Sequence, residues 1–212
     1  MIGAFLRRVM RVLRAQNSWN ANRDYVSVHP GALVDESANL NLLRRPSEPR
    51  ILLSIGDGSH VFSIFSILRP EASIRVGARC QLGRSQIVSA ISVEIGDDVI
   101  MSWGVTVLDS DNHSPYWSER DGDVERSRRG YLETGGADIA RHQDWSVVGM
   151  APVRIGAKAF IGCNVIILKG VTIGEGAIIG AGSVVTRDIA PWHAAAGNPC
   201  RELHPVPQAR PA

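Results

Sequence analysis

From Ile155 onward the chain repeats itself every six residues: IGAKAF, IGCNVI, ILKGVT, IGEGAI, IGAGSV, VTRDIA. An aliphatic residue opens each hexad at 155, 161, 167, 173, 179 and 185, and glycine follows at 156, 162, 174 and 180. A small or β-branched residue stands two places before each new start. Period six is neither the 3.6-residue turn of a helix nor the two-residue alternation of a strand, so it demands a repeat architecture. Each hexad reads as a short strand plus a corner, with the aliphatic side chain pointing inward and a small residue permitting the bend. Three hexads make one triangular coil. A single coil cannot bury its inner face, whereas stacked coils enclose columns of Ile, Val and Leu. The expectation is an all-β solenoid.

The same register extends upstream. VGARCQ, LGRSQI and VSAISV open at 76, 82 and 88, and after one extra residue IGDDVI, MSWGVT and VLDSDN open at 95, 101 and 107. A weaker set, IGDGSH and VFSIFS, opens at 55 and 61, and VHPGAL and VDESAN, at 28 and 34, are taken as the first. Between Asn39 and Ser54 the pattern fails, and RRPSEPR reads as a loop. The solenoid domain is therefore assigned to residues 25–203, with a flexible Pro-rich tail at 204–212. Residues 1–24 form a basic cap: Ile2, Phe5, Leu6, Val9, Met10 and Leu13 recur at helical spacing, with Arg7, Arg8, Arg11 and Arg14 elsewhere on the wheel. Such an amphipathic helix closes the domain or packs on a partner subunit. The alternative is peripheral contact with an anionic membrane through residues 2–14.

With 212 residues, 44% of them hydrophobic, and a formal net charge of +2, the chain can bury a core and gives no electrostatic reason to expect nucleic acid. Cys80, Cys163 and Cys200 have no paired spacing, which suggests a reducing compartment. No stretch reaches the roughly 18 uninterrupted apolar residues of a spanning helix. These features point to a soluble, cytoplasmic protein able to work at the inner face of the membrane.

The stretch VRIGAKAFIGCNVIILKGVTIGEGAIIGAGSVVTRDIAPWHAAAGNPCREL resembles the C-terminal half of the hexapeptide-repeat acyltransferases. It is most similar to the galactoside and maltose O-acetyltransferases and to relatives that acetylate surface polysaccharides. The resemblance is dense from about Val76 to Leu203. It implies a left-handed parallel β-helix, a homotrimer, and acetyl-CoA bound between neighbouring subunits as the donor, with no metal required.

One stretch, VLDSDNHSPYW, breaks the rhythm. Counting from 95, 101 and 107, an aliphatic is due at position 113, where His113 appears. The repeat resumes only near Val153, after a charged and aromatic inserted loop at 114–148. Long excursions from rigid scaffolds are usually binding loops or lids. Acetyl transfer to a hydroxyl needs a base that works near pH 7, and imidazole suits the task. His113 also matches the histidine that serves as base in the resembling enzymes. Asp111, two residues earlier on an extended segment, is expected to orient the ring, with Glu125 as runner-up. Tyr116, Trp117, Tyr131 and Trp145 offer faces to a sugar ring or a neighbouring subunit, His142 is placed to touch substrate, and Gly130, Gly135 and Gly136 give the loop freedom to move.

By resemblance, Ala181, Thr186, Arg187 and Arg201 match positions lining the coenzyme site. Phe160 matches an aromatic beside the pantetheine, usually tryptophan, and Cys163 a serine near the thioester. Phenylalanine lacks the indole donor and cysteine is a weaker donor than serine, which leaves the Cys163 backbone N–H for the oxyanion. Arg84 stands where the sugar acetyltransferases carry a substrate-contacting asparagine, which makes an acidic sugar or phosphate a candidate for recognition.

The leading expectation is an acetyl-CoA-dependent O-acetyltransferase acting on a carbohydrate hydroxyl. N-acetylation of an amino sugar or nucleotide sugar would use the same base and donor. A non-catalytic structural solenoid would show an unbroken repeat. A zinc-dependent carbonic anhydrase of this fold would need histidines converging on one ion, and the six present are too widely spaced.

Overall fold

The computed structural model describes residue 19 and residues 21–208; the expected basic helix over 2–14 lies outside the described residues. Three parallel sheets form the walls of a prism. Sheet A holds β1 (Val26–Val28), β4 (Leu53–Ile55), β7 (Ser73–Val76), β10 (Ser92–Ile95), β13 (Val153–Ile155) and β16 (Thr172–Ile173). Sheet B holds β2 (Leu33–Val34), β5 (His60–Val61), β8 (Gln81–Leu82), β11 (Ile100–Met101), β14 (Phe160–Ile161) and β17 (Ile178–Ile179). Sheet C holds β3 (Asn39–Leu42), β6 (Ile64–Ile67), β9 (Gln86–Ser89), β12 (Thr106–Leu108), β15 (Ile166–Ile167) and β18 (Val184–Val185). The chain visits A, B and C in turn, so three successive strands make a coil and six coils stack into a left-handed parallel β-helix. Sheet B continues into β19 (His193–Gly197), parallel to β17, and then β20 (Cys200–Pro205), which turns back antiparallel and ends the stack.

The hexad openings at 155, 161, 167, 173, 179 and 185 are all at most 2% exposed. The small or β-branched residues two places earlier, Ala159, Val165, Val171, Ala177 and Ser183, are buried beside them. One continuous core runs from Leu40 to Cys200. Glycine at the corners answers close stacking: a Cβ on Gly162 would lie 2.7 Å from the Ala181 nitrogen of the next coil.

The register differs from expectation in two places. At 88 the phase is off by one: Ile87 is buried at 0% and Val88 faces outward, because a four-residue β9 puts Ile87 and Ser89 inward. The segment from Asn39 is not yet loop, since β3 runs through Leu42 and pairs with β6 residue for residue. Its Asn-Leu-Asn-Leu alternation keeps Leu40 inside, a two-residue period that a search for hexads misses. The excursion after β12 is largely helical, with a short turn α1 (Trp117–Arg120) and a three-turn helix α2 (Asp123–Thr134). No described helix is long and apolar enough to cross a membrane.

Candidate active site

The excursion leaves and re-enters the wall through a closed neck. Ser110 and Met150 form an antiparallel bridge, the Asp111 N–H donates to the Gly149 carbonyl at 2.9 Å, and the Ala151 N–H donates to the Asp109 carbonyl at 3.0 Å. Lys169, from the coil above, holds Asp111 at 2.9 Å. The expectation that Asp111 orients His113 is therefore corrected: its carboxylate is engaged at the neck. Asp109, 0% exposed, accepts from the Ser89 hydroxyl at 2.7 Å and from the Ala90 and Ile91 N–H groups at 2.6 and 2.9 Å. It thereby satisfies the corner of the coil below, where the sequence carries its extra residue.

Past the neck, Asn112 adopts φ +61° and turns the chain outward. His113 consequently does not fill the inward slot that its phase suggests; its side chain is 56% exposed. Its Nδ1 lies 2.6 Å from Asp123 Oδ2. An ionised carboxylate only accepts, so Nδ1 carries the proton and Nε2 presents a lone pair. Asp123 is 8% exposed and opens α2, where the helix dipole favours a negative charge. Gly122, at φ +83°, makes the turn that places it there. Burial pulls the Asp123 carboxyl up, but hydrogen bonds from His113 and Arg126 outweigh that and hold it below the ordinary aspartate range. Glu125 instead points to Arg128, 3.7 Å away.

His113 stands at the rim of a cleft of about 290 Å³ between the outer face of sheet C and the excursion. Leu43, Leu68 and Val88 line one wall; Ser127, Ile139, Ala140, Gln143 and Trp145 line the other. The second wall is held in place by Arg44, whose Nε pairs with Asp138 at 3.1 Å and whose Nη2 donates to the Ala140 carbonyl at 3.0 Å and to the Arg141 carbonyl. Gly130 is a packing residue, not a hinge: a Cβ there would lie 2.9 Å from the Asp138 carbonyl oxygen. Arg69 stacks over the Trp145 ring at 5.9 Å. His142 is engaged with Glu133 at 2.8 Å, and Tyr116 and Trp117 are each 68% exposed, outside the cleft lining.

The expected donor-side residues lie elsewhere on the prism. Cys163 and Ala181 stack at the corner between sheets B and C, next to Phe160, which is 41% exposed on sheet B. Arg84 occupies the same corner column lower down, in a depression of about 310 Å³ with Ser37, Gln86 and Thr106. Thr186 and Arg187 follow β18, on the C–A edge that also carries His113. Arg201 lies on β20 and turns one Nη back to the Cys200 carbonyl at 2.8 Å. Within one chain, His113 and the Cys163–Ala181 column thus sit at opposite ends of the sheet C strands. Among the described residues, the N–H groups of Cys163 and Ala181 have no acceptor, and Arg187 and Arg201 have no carboxylate partner.

Asp123 and Arg44 were not legible beforehand. For Asp123 there was a signal: the glycine-Asp pair Gly122-Asp123 is a helix start, and a helix start fixes where a carboxylate points. For Arg44 there was none, because it acts across 94 residues.

Two family models match the chain: the bacterial transferase hexapeptide (six repeats) over residues 152–187 and the hexapeptide repeat of succinyl-transferase over residues 73–109. Galactoside O-acetyltransferase of Escherichia coli is 29% identical over 146 residues, 66% of this chain and 60% of that protein. A probable acetyltransferase of Mycobacterium tuberculosis is 29% identical over 150 residues, 70% of this chain and 43% of that protein. A putative acetyltransferase of Staphylococcus aureus is 44% identical over 65 residues, 31% of this chain and 33% of that protein. The chain thus spans less than two thirds of the length of these relatives. Among solved structures, AntD, an N-acyltransferase from Bacillus cereus in complex with dTDP and coenzyme A, superposes with a TM-score of 0.62 at 18% identity, covering 86% of this chain and 85% of AntD. The polySia-specific acetyltransferase NeuO gives a TM-score of 0.62 at 21% identity, covering 88% of this chain and 74% of NeuO. These structures speak for the fold. Repeat, register and relatives together show a hexapeptide-repeat β-helix that is similar, over part of its length, to those of bacterial acetyltransferases.

Proposed function

We propose that the protein transfers an acetyl group from acetyl-CoA to a carbohydrate hydroxyl, with His113 as general base. The observation that carries this reading is the His113–Asp123 hydrogen bond at 2.6 Å, which leaves Nε2 as the free base at the rim of a cleft. The acceptor oxygen attacks the thioester carbonyl carbon as its proton passes to Nε2. The C–O bond forms, the tetrahedral oxyanion is met by the unpaired N–H groups of Cys163 and Ala181, and the C–S bond breaks. The sulfur leaves with the proton from His113. No covalent acetyl-enzyme is needed. Arg187 and Arg201, free of carboxylate partners, suit the coenzyme phosphates, and Phe160 suits the pantetheine arm.

Because His113 and the Cys163–Ala181 column stand at opposite ends of the sheet C strands, a complete site needs two chains. A three-fold assembly that sets the C–A edge of one prism against the B–C corner of the next supplies it, and closed cyclic symmetry makes three equal sites. Oxygen is favoured over nitrogen as acceptor because an amino sugar arrives as an ammonium ion, and no carboxylate lines the cleft. Three free thiols suit a reducing compartment.

Replacement of His113 by alanine is expected to lower kcat by about 10²- to 10⁴-fold while calorimetry still shows acetyl-CoA binding. Unchanged turnover in a folded variant would remove the base from this mechanism.

A further inference from the structure

The acceptor itself is open, and the cleft beside His113 restricts it. Its walls combine four aliphatic side chains, Leu43, Leu68, Val88 and Ile139, with the ring of Trp145. Besides His113, its polar groups are few and neutral: Asn112, Ser127, Gln143 and the buried indole N–H of Trp145, which has no partner among the described residues. Asn112 accepts from the Ser110 hydroxyl at 3.1 Å through its carbonyl oxygen, which leaves its amide N–H groups unspent. Among the described residues, the side chains of Ser127 and Gln143 have no hydrogen-bond partner. Arg44 and Arg69 are not among the lining residues; Arg44 pairs with Asp138, and Arg69, over the Trp145 ring, pairs with Glu71.

An apolar enclosure with a few unengaged neutral donors and acceptors is the composition of a small-molecule site, and about 290 Å³ has room for one sugar ring. A carboxylate placed there would lose its hydration and find no lysine or arginine in the lining to replace it. The aliphatic wall, in turn, calls for an apolar substituent, since a ring bearing only hydroxyls would leave that wall unused.

Resting on the acetyltransferase reading above, we propose that this cleft is the acceptor subsite, and that it selects a neutral sugar carrying a methyl group, as in a 6-deoxyhexose or an N-acetylhexosamine. The methyl group packs among Leu43, Leu68, Val88 and Ile139, the ring lies against Trp145, and Asn112, Ser127 and Gln143 meet the hydroxyls not being acetylated. The expectation of an acidic sugar, drawn from Arg84, is set aside for this subsite, because Arg84 lines a different depression and is not among the residues of this cleft.

The test uses the full chain with acetyl-CoA and matched methyl glycosides: a 6-deoxyhexose, an N-acetylhexosamine, the parent hexose and the corresponding uronic acid. Release of coenzyme A reports turnover, and tryptophan fluorescence reports binding without turnover. The methyl-bearing sugars are expected to bind at least about 10-fold more tightly than the parent hexose, the discrimination an apolar pocket gives one methyl group. The uronic acid is expected not to bind. Gln143→Ala, on a partly exposed loop, and Ala140→Phe, which fills the cleft, should each raise the acceptor KM at least about 10-fold and leave the acetyl-CoA Kd unchanged. Trp145→Phe should abolish the fluorescence response. Equal binding of the uronic acid, an unchanged KM in both cleft variants, or turnover of an acceptor without any sugar response at Trp145 overturns the subsite. Absence of acetyl-CoA binding in the unaltered protein would overturn the acetyltransferase reading instead.

Discussion

Two aspartates four and ten residues from His113 do different work, and each can be tested alone. Asp109 is a structural anion inside the wall. Removing it in Asp109→Ala strands the Ala90 and Ile91 N–H groups and leaves the Ser89 hydroxyl only the Ser73 carbonyl, at a cost of about 3 kcal/mol. For a domain of this size the melting temperature should fall by roughly 6–12 °C, measured by calorimetry, with the Asp109→Asn variant in between. On the proposed reading, Asp123 is a positioning residue that acts through His113. Asp123→Asn replaces the acceptor that fixes the imidazole tautomer, and kcat should drop about 10²-fold, the effect of a misplaced catalytic group. Asp123→Glu should recover part of the loss, which a merely structural role would not predict.

The pH response follows from the same pair. A carboxyl whose folded pKa is lowered contributes stability that is complete above its ordinary value and is lost as the pH falls through the lowered one. Asp123 therefore keeps the excursion docked through neutral and mildly acidic solution. Hydrogen exchange of residues 113–134 should rise only below about pH 4, the ordinary aspartate range. Opening at pH 6 would count against the depressed carboxyl.

At the scale of elements, the excursion is held by contacts that no repeat announces. Arg44→Ala removes the ion pair with Asp138 and the hydrogen bonds to the Ala140 and Arg141 carbonyls. The cleft wall should loosen, seen as faster hydrogen exchange at 138–148 and a several-fold higher acceptor KM, with the melting temperature nearly unchanged because the prism is not involved. Gly130→Ala should act in the same direction by driving α2 away from Asp138 and Ile139. The contrast explains what could be read in advance. The coils from Ile155 to Val185 are periodic, and periodicity is local, so strands, corners and core columns followed from the chain itself. His113 was found because it broke that period. Its partner was not, since Asp111 is two residues away and Asp123 ten, and only the turn at Gly122 and the start of α2 bring the more distant carboxylate to the ring. Asn39–Leu42 escaped for the opposite reason: it obeys the strand's own alternation where hexads were being counted.

At the scale of the whole molecule, the separation of His113 from the Cys163–Ala181 column makes catalysis, on the proposed reading, a property of an assembly. A His113→Ala chain and an Ala181→Trp chain, each inactive alone, should regain activity when co-expressed. Random mixing in a ring leaves about one site in four with an intact base edge facing an intact donor edge. Recovery near that fraction supports shared sites, and no recovery in mixed oligomers places the whole reaction within one chain. Light scattering of the unaltered protein should give three times the chain mass.

The bridge between Ser110 and Met150 has one more implication. Because the excursion departs and returns at a single point, its length and composition can change without altering how any coil stacks on the next. On the proposed reading, donor handling belongs to the prism and the choice of glycan to this one appendage. The fold can thus diversify by exchanging a cassette, with new acceptor preferences arising on an inherited engine.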